Sequence, residues 1–215
     1  NYNFKKLKKL FPKKEILKFK VDITKENSVK KCFNFLQRKK IFVNILINNA
    51  AYNPPNNKLG SSIFEKYPLK SWKREIDISL TGAFICAKIF GSEMARRQKG
   101  VILNISSDLS VIAPDQRLYN HGKEKKFTKP ITYSVSKTGI IGLTRYIATY
   151  WSDKNVRCNA ISPGGVENNH EKEFKNKLKK LIPLGRMAQK DEYRSAVQFL
   201  CSDASSYMTG QNLVI

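Results

Sequence analysis

Apolar residues fall along this chain in two alternating patterns: short unbroken runs, and longer stretches where they recur every three or four positions. The first is the pattern of a strand buried on both faces, the second that of an amphipathic helix. Leu7, Leu10 and Phe11 fit the tail of a helix that Pro12 ends. Residues 15–21 predict a strand closing at Asp22-Ile23-Thr24, and residues 25–39 a helix carrying Val29, Cys32, Phe33 and Leu36 on one face. Residues 42–47 predict a short strand running into Asn48-Asn49-Ala50-Ala51, and Pro54-Pro55-Asn56-Asn57 a loop. Two helices are expected next, over 72–78 and 80–94, then a strand over 100–105 that enters Ser106-Ser107. After a polar stretch at 114–130 the pattern gives a long helix over 133–151. A strand over 156–161 then ends in Ser162-Pro163-Gly164-Gly165. Helical segments near 171–181 and 190–202 precede a last strand at 212–215.

Strands that alternate with helices of a dozen residues imply β-α-β units, hence an α/β fold with a doubly wound parallel sheet. At 215 residues the chain makes one domain, 1–215, around a single core, with no internal repeat. Sheets of this kind bind ligands beyond the carboxyl ends of their strands. Asp22, Asn48-Asn49, Ser106-Ser107 and Pro163-Gly164 all fall at such ends, so a pocket is expected where these four turns converge.

Composition changes this picture in one respect. Hydrophobic content of 41% and charged content of 27% are those of an ordinary globular chain. No apolar run approaches the roughly 18–20 residues of a membrane span, so no membrane association is expected. The net charge of +23 is the outlier. It gathers near 5–20, 123–129 and 172–180, not along one element with interleaved aromatics, and it accompanies many asparagines and isoleucines, as in AT-rich coding sequences. Non-specific attraction to polyanions at low salt follows; a specific nucleic-acid partner does not. Cys32, Cys86, Cys158 and Cys201 are widely spaced, without Cys-x-x-Cys or a histidine cluster, so no metal site is expected. Three lie in apolar settings, which reads as reduced thiols in a cytoplasmic protein. His121 and His170 lie in polar segments. The chain begins without methionine and stops in what reads as an unfinished strand, so both ends are expected to be truncated.

The chemistry concentrates at Tyr133-Ser134-Val135-Ser136-Lys137, where a phenol and an ammonium stand one helical turn apart on one face. A phenol titrates near ~10; a cation within about 4–6 Å favours the phenolate and lowers that value. The pair suits acid–base work at a hydroxyl or carbonyl. Spacing alone arises by chance in a lysine-rich chain, so the flanking turns must decide.

Those turns, in their order, resemble the short-chain dehydrogenase/reductase family over nearly the whole chain. Asp22-Ile23-Thr24 is similar to the turn that meets the adenine, and Asn48-Asn49-Ala50-Ala51 to the Asn-Asn-Ala-Gly turn, with Ala51 replacing glycine. Asn104-Ile105-Ser106-Ser107 resembles the strand that delivers the catalytic serine, here Ser107. Pro163-Gly164-Gly165-Val166 resembles the turn under the nicotinamide, while Pro183-Leu184-Gly185-Arg186 and Thr209-Gly210-Gln211 match carboxyl-terminal signatures. The resemblance implies a Rossmann-like fold lacking its first β-α-β part and an oxidoreductase using NAD or NADP. It implies Tyr133, Lys137 and Ser107 as catalytic residues, and Asp22, Ile23, Asn49, Ala50, Tyr133, Lys137, Pro163, Gly164 and Val166 as cofactor contacts. Tyr133 would move the proton at the substrate oxygen, Lys137 would hold the ribose hydroxyls, and Ser107 would donate a hydrogen bond to the same oxygen.

Three departures qualify the resemblance. The glycine-rich phosphate loop is absent, so the sequence as given is expected to bind dinucleotide poorly. Ser79, in Ser79-Leu80-Thr81-Gly82, stands where the family has asparagine; it either holds a relay water or is a helix-kink residue. Ser107 and Tyr133 are separated by about twice the family's interval. The added segment offers Asp115, Arg117, Tyr119, His121, Lys123, Lys125, Lys126 and Lys129 either to a charged or hydroxylated substrate or to solvent. With Phe127-Thr128-Lys129-Pro130, this loop resembles members that act on sugar-derived or keto substrates in bacterial surface-glycan synthesis and flagellin modification. Wider relatives are 3-oxoacyl-carrier-protein reductases and gluconate 5-dehydrogenases. Family members commonly assemble as dimers or tetramers, so a homo-oligomer is expected. Readings of another class are a non-catalytic dinucleotide-binding protein and a polyanion-binding protein.

Overall fold

Four parallel strands carry the fold in the spatial order β1 (Ile45–Asn48), β2 (Gly100–Ile105), β3 (Val156–Ser162), β4 (Asn212–Val214). They belong to a computed structural model that describes residues 4–52, 62–119 and 127–215. In register, Asn48 lies opposite Asn104, Asn104 opposite Ala160, and Ser162 opposite Val214. All four carboxyl ends therefore reach one edge.

The central strands are apolar because both of their faces are covered. On one face Ala87, Met94, Ala95, Ile147 and Ala148 pack on Ile102, Val156 and Cys158. On the other, Leu200 packs on Leu103 and Ile161, flanked by Ala196, Val197 and Leu213. A buried polar ladder crosses the sheet between these layers. Asn48 Nδ2 donates to Asn104 Oδ1 (2.8 Å), and Asn104 Nδ2 donates to Thr144 Oγ1 (2.8 Å). Thr144 in turn donates to the Ile140 carbonyl, so no amide in the ladder is left unpaired.

Helices form at Phe4–Leu10, Glu26–Arg38, Ile131–Tyr150, Lys172–Lys179 and Arg194–Cys201, close to expectation. Residues 15–21 depart from it and form no strand. A strand needs a neighbour for its backbone groups, and among the described residues none pairs with this segment. The outer edge of β1 is likewise open, with Ile45 and Ile47 exposed.

The two helices expected over 72–78 and 80–94 are one, Leu69–Arg96. It continues through Ser79-Leu80-Thr81-Gly82 as a wide π-helical turn, Asp77–Thr81, where the Gly82 N–H bonds to the Asp77 carbonyl five residues back. A second wide turn spans Ala87–Gly91. This merged helix meets a membrane span in length and composition, correcting the expectation that nothing here approaches one. Half of its apolar window is buried inside the fold, as in a core helix. The four cysteines are free thiols; Cys158 is buried, and burial pushes it up to about 12. Pro54-Pro55-Asn56-Asn57, His121, Lys123, Lys125 and Lys126 lie outside the described residues.

Candidate active site

The strand ends are sewn together by backbone bonds. Ser106 N donates to the Ile161 carbonyl, Asp108 N to the Pro163 carbonyl (3.1 Å) and Gly164 N to the Ile215 carbonyl (2.7 Å). The Ile131–Tyr150 helix docks over this edge at two points. Ser106 Oγ donates to the Lys137 carbonyl (2.7 Å), and Lys137 Nζ donates to the Ile105 carbonyl (2.8 Å). Lys137 is thereby buried, with its ammonium 5.9 Å from the centre of the Tyr133 ring.

Burial lowers Lys137 to about 8. It also raises Tyr133 above the ordinary phenol value, while hydrogen bonding with Ser107 lowers it and the Asp108 charge raises it further. The expected downward shift of Tyr133 is therefore reversed. Its ring is half-buried, and the Lys137 ammonium is turned to a carbonyl, so desolvation outweighs the cation.

Ser107 Oγ donates to Asp108 Oδ1 (2.7 Å) and accepts from Leu109 N (3.3 Å), capping the turn Asp108–Ser110. Its proton is thus directed at Asp108, where a free donor was expected. Asp108 was missed by the sequence reading; its only signal was its place directly after the serine pair.

Ser79 is buried in its π-helical turn and accepts from Tyr52 N (3.2 Å), joining the segment after β1 to the long helix. Among the described residues no hydrogen bond links it to Tyr133 or Lys137.

Of the expected cofactor contacts, Asn49, Ala50, Pro163, Gly164 and Val166 follow the carboxyl ends of β1 and β3, whereas Asp22 and Ile23 precede the Glu26–Arg38 helix. The Asp22 carboxylate accepts from Thr24 N (3.1 Å) and Thr24 Oγ1 (2.7 Å), which hold it below the ordinary carboxylate range. Asp22 makes a turn rather than a helix cap. Ile23 lies against Gly82, where a Cβ would come within 2.6 Å of Ile23 Cδ1, so glycine permits this approach. Asn49 and Ala50 are exposed beyond β1. Pro163 and Gly164 follow β3, and Val166 bridges Ala188. Around Gly164, Asp108 Oδ2 and Tyr193 Oη each lie 3.8 Å from where a Cβ would stand.

The enlarged segment divides in two. Arg117 pairs with Asp115 (2.7 Å) and is 87% exposed, so its cation is spent at the surface and not on the site. Tyr119 turns inward against Phe127 and Phe174, and burial pushes it up to about 12. Thr128 N donates to Ser62 Oγ and Lys129 N to Gln116 Oε1, fixing the segment's end. Lys129 Nζ comes to rest 3.7 Å from the centre of the Tyr133 ring, and burial lowers it to about 8.

Glu75 is a second residue the sequence reading missed. It is 3% exposed, accepts from Tyr67 Oη (2.8 Å) and Thr132 Oγ1, and so braces the helix one residue before Tyr133. A charged residue in an amphipathic pattern gives no sign of burial. Among the described residues no cluster of histidine, cysteine or carboxylate gathers that could hold a metal.

Comparison with known proteins gives a consistent result. Residues 2–215 match the family model described as enoyl-(acyl carrier protein) reductase. An NAD-dependent glycerol dehydrogenase of Listeria innocua is 32% identical over 207 residues, covering 93% of this chain and 73% of that protein. A 3-oxoacyl-(acyl-carrier-protein) reductase FabG of Aquifex aeolicus is 30% identical over 195 residues, covering 89% and 71%. The crystal structure of a short-chain dehydrogenase from Leptospira borgpetersenii with bound NAD+ superposes with a TM-score of 0.79 at 32% identity, covering 92% of this chain and 72% of that one.

Proposed function

The chain belongs to the short-chain dehydrogenase/reductase family and is an NAD(P)-dependent oxidoreductase, and from that premise we propose that Tyr133 moves the proton at the substrate oxygen. The observation that carries this reading is the meeting of Tyr133, Lys137 and Ser107, from two elements, over one strand edge. When bound, the nicotinamide supplies or accepts hydride at the substrate carbon. The donor set fits such a cofactor. Lys137 gives one of its three N–H groups to Ile105, leaving two for ribose hydroxyls, and the Asp22 carboxylate is an exposed acceptor. Ile23, Asn49, Ala50, Pro163, Gly164 and Val166 complete the lining. Burial keeps the Tyr133 phenol protonated at neutral pH, the form that donates to a forming alkoxide. Ser107 orients the same oxygen, with Asp108 governing where its own proton points. Ser79 acts as a positioning residue for the strand-end segment at Tyr52.

The substrate we assign is a small hydroxylated, sugar-derived alcohol or ketone. Its support is the glycerol-oxidising relative and a surround of hydrogen-bonding groups: Asp108, Tyr119, Lys129 and Tyr193. A role in bacterial surface-glycan or flagellin modification belongs to the same proposal and rests on the Phe127–Tyr133 sequence. The FabG relative favours a second reading, reduction of a 3-oxoacyl thioester. Initial rates over glycerol, pentitols, gluconate and acetoacetyl thioester, each with both cofactors, separate the two. Polyol or sugar-acid turnover is expected to lead; thioester reduction at tenfold higher kcat/KM would replace this reading with the second. Assembly as a cytoplasmic homo-oligomer is proposed as well. Free thiols support the compartment, and exposed Phe84, Val135, Tyr146 and Tyr150 on the two long helices support the assembly.

A further inference from the structure

Lys129 is held in place from two sides. Its backbone is tied to Gln116, and Thr128 before it is tied twice to Ser62, so the ammonium is held over the Tyr133 ring face. A cation on an aromatic face gains attraction from the ring quadrupole, yet burial still strips part of the ammonium's hydration. Among the described residues no carboxylate stands within ion-pair distance of it. Asp108 and Glu75 act on it attractively from further away, and Lys137 repels it.

Resting on the reading that Tyr133 works at the substrate oxygen, we propose that Lys129 is a specificity residue that takes an anionic group, carboxylate or phosphate, on the hydroxylated substrate. An anion there would restore the hydrogen bonds the ammonium lost on burial, and charge-assisted bonds of this kind are among the stronger ones. The Asp108 carboxylate, already accepting from Ser107, would accept from substrate hydroxyls and repel a second negative charge. The substrate is thus oriented with its acid toward Lys129 and its hydroxyls toward Asp108. Arg117, with its guanidinium spent on Asp115, takes no part.

A matched three-carbon set tests this on the full-length enzyme: glycerol, glycerate and glycerol 3-phosphate, with wild type, Lys129→Met, Lys129→Arg and Tyr133→Phe. Wild type is expected to prefer one anionic member over glycerol at least tenfold in kcat/KM, the preferred one distinguishing carboxylate from phosphate. Lys129→Met should cut that ratio at least tenfold, through KM, and Lys129→Arg should restore part of it. An unchanged ratio in Lys129→Met, or no anionic preference in wild type, overturns the proposal. Where none of the three is turned over, thermal shift with glycerate and inorganic phosphate decides. Stabilisation of wild type but not of Lys129→Met is expected, and equal shifts or none overturn it. Equal turnover by wild type and Tyr133→Phe would instead overturn the proton-transfer reading, leaving the Lys129 ratio to be judged separately.

Discussion

Asp108 and Ser107 act on the Tyr133 phenol in opposite directions, the carboxylate raising it and the hydroxyl lowering it, on top of the larger effect of burial. Asp108→Asn removes the charge while keeping an acceptor for Ser107. Alcohol oxidation, which needs the phenolate, should then reach half of its maximal rate at lower pH than in wild type; an upward or absent shift counts against the assignment. Reduction needs the phenol and the Lys137 cation together, so its rate should fall as pH rises through about 8, where Lys137 loses its proton. A pH–rate profile of cofactor oxidation checks this. The convergence of Tyr133, Lys137 and Ser107 was legible in the sequence because one helical turn and one strand end fix their positions. Glu75 was not, since its burial depends on Thr132, 57 residues away. The inward turn of Lys129 depends in the same way on Ser62 and Gln116.

Strands β2 and β3 were readable almost to the residue because burial on both faces leaves an uninterrupted apolar run. Residues 15–21 carry Ile16, Leu17, Phe19 and Val21 between charged positions, but a strand is a property of two segments and the pattern describes one. The long helix was misread for a different reason. Ser79-Leu80-Thr81-Gly82 looks like a break, yet a π-helical turn widens the helix without ending its hydrogen-bond ladder. Gly91 sits where the second wide turn meets the Trp151 ring, and a Cβ there would overlap that ring and crowd Ile102. Gly91→Ala should therefore lower the melting temperature despite alanine's better helix propensity. The cost is about 1–3 kcal/mol from overpacking against roughly 1 kcal/mol gained. A thermal melt in which the variant is more stable would show that Trp151 yields freely.

The whole chain carries +23, gathered in separate stretches near 5–20, 123–129 and 172–180. Retention on a heparin column is expected at low ionic strength and should be lost by roughly 0.2 M salt, as for non-specific counterion release. Retention well beyond that would mark a true polyanion site. Stability should also respond to alkali. Folded Lys129 and Lys137 release protons near 8 rather than 10.5, so their contribution rises with pH across that interval. Tyr67, Tyr119, Cys86 and Cys158 are pushed up by burial and keep protons in the fold that the unfolded chain loses near 9–10. The two thiols balance the two lysines near pH 9–10 and the tyrosines tip the sum above that, so the melting temperature should fall between about pH 10 and 12. The α/β fold was legible because alternation of strands and helices is a global pattern, whereas the balance of buried charges emerges only on packing. At this scale the proposed function requires the strand-end turns to assemble one site for proton and hydride transfer around Tyr133. Steady-state turnover of full-length Tyr133→Phe, on whichever substrate wild type accepts best, tests that most directly. A loss of roughly 10²–10⁴-fold in kcat with little change in KM is expected; turnover within tenfold of wild type would rule out Tyr133 as the proton donor.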